Sequence, residues 1–94
     1  MKAQATQAHQ RGDAGTARRL YEEILARRPH YPEVLNNLGV LMLQLGDSQA
    51  AVQHTRAAIA AKPNLADAHA NLGAALRHLG RIEDAIAAYR LTAS

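Results

Sequence analysis

Cysteine is absent from the 94 residues, which excludes disulfides, cysteine-ligated zinc and a cysteine nucleophile. Tryptophan and phenylalanine are absent too. Aromatics make up only 3% against 48% hydrophobic residues, so any core must be built from small and aliphatic side chains, chiefly alanine and leucine. The longest strongly apolar run, Leu38 to Leu43, is far too short to cross a bilayer. The opening residues, Met1 to Thr6, lead into polar sequence and do not read as a signal peptide. These absences together predict a soluble chain, cytoplasmic by default, with no membrane partner. β-Branched residues are sparse and no segment alternates with period two, so no strands are expected.

The length suits one small domain with a modest core. The net charge of +3 is mild but unevenly placed. Residues 1–31 hold six of the eleven basic residues (Lys2, Arg11, Arg18, Arg19, Arg27, Arg28) against three acids (Asp13, Glu22, Glu23), and the remainder balances at five against five. Such an excess could steer an acidic partner; a solvated helix face is the plainer reading.

The chain repeats itself. At an offset of 34, Gly12 meets Gly46 and then Gly80, Ala17 meets Ala51 and then Ala85, Tyr21 meets Thr55 and then Tyr89, Pro29 meets Pro63, and Asn37-Leu38-Gly39 meets Asn71-Leu72-Gly73. Each unit reads as two helices. In the middle unit Leu35, Leu38, Leu41, Met42 and Leu45 recur at helical spacing as one apolar stripe. Gly46-Asp47 then stops that helix and caps the next, whose inward residues are Ala51, Val52, Thr55, Ala58 and Ile59. Pro63 ends it, because the residue before a proline is pushed out of helical geometry. Gly12-Asp13 and Gly80-Arg81 mark the same break in the outer units. The spacing predicts six helices, over about 2–11, 14–27, 32–45, 48–61, 66–79 and 82–93. Gly39 and Gly73, with Ala51 and Ala85, are expected where helices cross closely.

A 34-residue helix–turn–helix unit with Leu-Gly on its first helix, Ala and Tyr on its second and a closing Pro resembles the tetratricopeptide repeat. The resemblance covers three units, 1–31, 32–65 and 66–94, in a single domain. The middle unit matches best, through Leu35, Leu38, Gly39, Met42, Ala51, Ala58 and Pro63. The third matches through Leu72, Gly73, Leu76, Ala85 and Tyr89 but has His69 where a large apolar residue is usual. The first has Gln4 and Ala5 at the Leu-Gly places. The resemblance implies an all-α, right-handed superhelical α-solenoid with its first helices lining a concave groove. Groove positions transferred this way are Lys2, Ala3, Thr6, His9 and Gln10; Glu33, Asn36, Asn37, Val40, Leu43 and Gln44; and Asp67, Ala70, Asn71, Ala74, Arg77 and His78. That mixed polar and small set suits an extended peptide whose backbone amides need partners. Asn37 and Asn71, one unit apart, look similar to the asparagine ladder of O-linked N-acetylglucosamine transferase repeats. They would either hold a bound backbone or bond local backbone and stabilise the stack. Asn36, with no counterpart, is expected to be a solvated groove edge.

The same family's carboxylate clamp is matched at Lys2 and Asn37 but not at Thr6, Asp67 or Asn71, and an aspartate would repel a terminal carboxylate. The five histidines (His9, His30, His54, His69, His78) show no metal-ligand spacing. No nucleophile elbow, phosphate loop or carboxylate pair supports catalysis. Glu22-Glu23 and Glu83-Asp84 read as exposed-face charges, and the Arg18-Arg19 and Arg27-Arg28 pairs lack the interleaved aromatics of a nucleic-acid surface. A non-enzymatic module that binds a protein or peptide, with no metal, cofactor or nucleic acid, is therefore expected. The end at Ser94, inside the last helix, leaves two further readings. One is the targeting part of a larger enzyme such as a glycosyltransferase. The other is a scaffold that self-associates through Ile86 and Tyr89.

Overall fold

The computed structural model describes residues 2–80, which form five α helices and, among the described residues, no strand. They are α1 (Lys2–Gln10), α2 (Ala14–Arg27), α3 (Pro32–Gln44), α4 (Ser48–Ala61) and α5 (Ala66–His78). Each agrees with its expected span to within a residue. The expected sixth helix, 82–93, lies outside the described residues, as do Ala85, Ile86 and Tyr89.

Two kinds of local signal place these ends. After α1 and α3 the chain enters the left-handed region at glycine, with φ +79° at Gly12 and +85° at Gly46. There the Gly12 N–H donates to His9 O and the Asp13 N–H to Ala8 O; Gly46 donates to Leu43 O and Asp47 to Met42 O. This closes the last helical carbonyls in the paired pattern that a Cβ-free residue permits. The carboxylates that follow start the next helices: Asp13 accepts from the Thr16 N–H at 3.3 Å and Asp47 from the Ala50 N–H at 3.1 Å. The Thr16 side chain first, and then its backbone N–H, hold the Asp13 carboxyl below its ordinary range. After α2 and α4 the stop is proline. Arg28 and Lys62, the residues preceding Pro29 and Pro63, sit at φ −134° and −146° with positive ψ, out of helical geometry.

The core is aliphatic and small, as the composition requires. Ala5, Ala8, Ala17, Tyr21, Val34, Leu38, Leu41, Met42, Ala51, Val52, Ala75 and Leu76 are buried in one cluster, and Leu35, Ala58 and Ala68 form a second. Each helix packs on the next, and α3 also packs on α5, two helices on. Leu45 departs from expectation. The helical spacing puts it on the inward stripe of α3, yet it is 53% exposed, and Leu79, its counterpart one repeat on, is 42% exposed. Both are C-cap residues, where the chain is already turning off the helix, so the helical period no longer decides which way the side chain faces.

α3 and α4 meet most tightly at Gly39. A Cβ there would lie 2.8 Å from Thr55 Cγ2 and 3.4 Å from the Ala51 carbonyl oxygen. The fully buried Thr55 hydroxyl is spent on its own helix, donating to Ala51 O at 2.7 Å, which fixes its methyl against Gly39. Gly39→Ala should therefore destabilise the fold by about 1–3 kcal/mol through overpacking, despite the better helix propensity of alanine. In a Thr55→Ser background, which removes only the offending methyl, most of that cost should vanish, a coupling that urea unfolding of the four proteins measures. Asp47→Ala should cost about 1 kcal/mol by removing the α4 cap, read from the urea midpoint at unchanged slope.

Candidate peptide-binding groove

The expected groove residues fall on α1, α3 and α5, but several are bonded to each other. His9 on α1 approaches Gln44 on α3, with Nε2 2.7 Å from Oε1. Its other nitrogen, Nδ1, lies 3.1 Å from Tyr21 Oη, and the two rings meet edge to face at 79°. An amide oxygen only accepts, so Nε2 carries the proton, and Nδ1 accepts from the tyrosine hydroxyl. Tyr21 is fully buried and burial raises its hydroxyl above the usual tyrosine range, so it stays a donor. On α3 and α5, Asn71 Nδ2 donates to Asn36 Oδ1 at 2.9 Å.

This corrects the reading of Asn36. It is not a solvated edge: it is 7% exposed and accepts the amide of Asn71. The repeat offset pointed to Asn37 and Asn71 as equivalents, which they are along the chain. The contact between neighbouring units instead runs at a separation of 35, for His9 with Gln44 and for Asn36 with Asn71 alike. The same register sets Lys2 opposite Asn37. Lys2 lies over the Tyr31 ring instead, 5.2 Å from its centroid. Asn37 is thus half-buried and, among the described residues, free of side-chain hydrogen bonds.

The other candidates divide simply. Val40, Ala70 and Ala74 are half-buried small or aliphatic positions, while Ala3, Gln10, Asp67, Arg77 and His78 are exposed. Leu43 packs on the core as a partly buried residue. Thr6 bonds back to Lys2 O at 3.0 Å. Glu33 faces Lys62 at 3.7 Å, an exposed pair of small energetic value.

Two of the histidines pack within the fold, His69 buried and His54 half-buried. His69, at the place where an apolar residue is usual, is 8% exposed, and its Nε2 lies 2.7 Å from Pro63 O. As the carbonyl only accepts, Nε2 carries the proton; Nδ1 has no partner among the described residues. His54 on α4 is pushed below the ordinary histidine range by burial, with Arg18 adding to the effect, so it is neutral near pH 7. Among the described residues no group of three acidic or histidine side chains could hold a metal, and no helix is long and apolar enough to cross a membrane.

This architecture of capped helix pairs stacked at a 34-residue period defines a helical-repeat protein. The sequence pattern of the tetratricopeptide repeat matches residues 8–64, and a second pattern of that description matches 44–94; the chain belongs to the tetratricopeptide-repeat family. No curated protein matches it in sequence. Among solved structures it is similar to the second TPR of Spaghetti (RPAP3) bound to HSP90 peptide SRMEEVD, at TM-score 0.94 and 19% identity, over 97% of this chain and 84% of that one. The first TPR of the same protein, bound to the same peptide, gives 0.94 and 21%, over 97% and 72%. The Sgt2 TPR domain from Aspergillus fumigatus gives 0.93 and 24%, over 97% of this chain and 60% of that one. At these identities the likeness is one of fold.

The Asn36–Asn71 bond has a measurable signature. Asn71→Ala leaves a buried carbonyl oxygen without its donor and should cost about 1–3 kcal/mol, whereas replacing both asparagines by leucine should cost much less than the two single changes summed. A double-mutant cycle by thermal or urea unfolding tests this.

Proposed function

We propose that the chain is a right-handed α-solenoid of three units, 1–31, 32–65 and 66–94, that acts as a non-catalytic interaction module and holds an extended peptide or protein segment in its concave groove. The observation that carries this reading is Asn37. It is a half-buried amide on the first helix of the middle unit, with no hydrogen bond spent among the described residues, and it offers both a donor and an acceptor to a peptide group. Val40, Ala74 and Thr6 would give the segment room beside it, and Arg77, His78 and Gln44 would border its path. The RPAP3 domains, which share the fold, are bound to a peptide, which supports a peptide as the class of ligand. The chemistry here differs from a clamp for a terminal carboxylate. Asp67 and Asn71 stand where that clamp needs basic groups, and the Asn71 amide is already given to Asn36. Main-chain recognition is the better fit, resembling one rung of the transferase ladder rather than two.

Because Asn37 is unbonded in the described fold, Asn37→Ala should leave helicity and unfolding midpoint unchanged. For peptides selected against the wild type by display, it should weaken binding by about five- to tenfold, the worth of one or two hydrogen bonds. Fluorescence anisotropy measures this; equal affinity for both proteins would remove the groove reading.

A further inference from the structure

The excess positive charge of the first third is not spread evenly. Arg18 and Arg19 are neutralised on their own helix, by Glu22 at 2.9 Å and Glu23 at 3.3 Å. Lys2, Arg27 and Arg28 are not paired with any carboxylate among the described residues. They converge with Ile24 and Tyr31 around a shallow cavity of about 280 Å3 whose lining contains no acid. Glu33, two residues from Tyr31 in the chain, is turned to Lys62.

The ring of Tyr31 organises this cluster. The Arg28 guanidinium carbon lies 4.0 Å from the ring centroid and the Lys2 ammonium 5.2 Å from it, so the electron-rich π face holds two like charges near one another. A guanidinium stacked this way still presents its N–H edge outward, already oriented, and that edge matches a carboxylate with two parallel bonds. Ile24 and the ring supply an apolar floor beside it. Such a combination fits a carboxylate that neighbours an aliphatic side chain. A nucleic acid fits less well, because it would stack a base on the Tyr31 ring, and the Arg28 guanidinium already lies against that ring.

We propose that this cavity, where the end of α2 meets the start of α3 beside α1, is a second docking point that takes an acidic peptide through paired Glu or Asp and aliphatic side chains. It goes beyond the groove reading and does not use Asn37.

The test is anisotropy with a short fluorescein-labelled peptide of alternating Glu and Leu, at low and moderate salt. Two controls accompany it: the same peptide with Gln for Glu, and single-stranded oligothymidine. The acidic peptide should bind, more weakly as salt rises, and the Gln peptide should not. Arg27→Gln/Arg28→Gln should weaken it by roughly tenfold. Arg18→Gln/Arg19→Gln, which changes net charge identically on the outer face of α2, should leave it within about twofold. Equal loss in both pairs would mean that net charge alone attracts the peptide, and tighter binding of oligothymidine would give the cluster to nucleic acid; either overturns the proposal. Amide shifts of labelled protein separate this outcome from failure of the groove. Peptide-induced shifts at Arg28 and Tyr31 support the second docking point. Shifts confined to Asn37 and Val40 sink it while leaving the groove intact, and shifts at neither place sink both for this peptide.

Discussion

The approach of α3 to α4 at Gly39 is the constraint on which the other placements depend. A chain with no Phe or Trp cannot fill wide spaces between helices, so its layers must lie close together. Gly39 allows this by having no side chain where the Thr55 methyl already stands. Once the two helices are that near, the short side chains Ala51, Val52 and Ala58 suffice to fill the interface, and the turn at Gly46-Asp47 has little freedom in how it joins them. Tyr21 shows the alternative in the first unit. There Ala5 stands at the Gly39 place, and the larger ring fills the gap and turns its hydroxyl to His9.

What the sequence made legible was whatever a short stretch of chain decides by itself. The glycine turns, the aspartate caps, the proline stops and the close crossing at Gly39 all follow from local sterics and bonding, and each stands where the repeat placed it. What it hid was contact between units. A 34-residue offset tells which residues are equivalent, not which ones touch. Neighbouring first helices are displaced so that bonds join residues 35 apart, and this one-residue shift exchanges Asn36 for Asn37 as the buried partner of Asn71. The same holds at Leu45, where the apolar period runs one residue past the end of the helix at Gln44.

The displacement also explains why several of the expected groove positions are not free for a ligand. His9, Gln44, Asn36 and Asn71 have the chemistry of a peptide-binding surface, yet they use it to join α1 to α3 and α3 to α5. A stack of thin layers needs some directional contact between layers, because alanine–alanine packing alone slides with little penalty. Polar pairs fix the register at modest net energy, since each bond replaces one that water would have made.

That use of polar groups leaves recognition to residues the register does not consume. At the first interface the pairing that holds Asn36 to Asn71 would fall on Lys2 and Asn37, a cation facing an amide. The lysine finds a better environment over the Tyr31 ring, where Arg28 also lies. A single departure from the repeat thus has two consequences. It leaves the Asn37 amide unbonded among the described residues, and it gathers positive charge around an aromatic floor beside α1. A helical repeat gains binding chemistry where its internal pattern is broken, because elsewhere the same side chains are occupied in holding the units together.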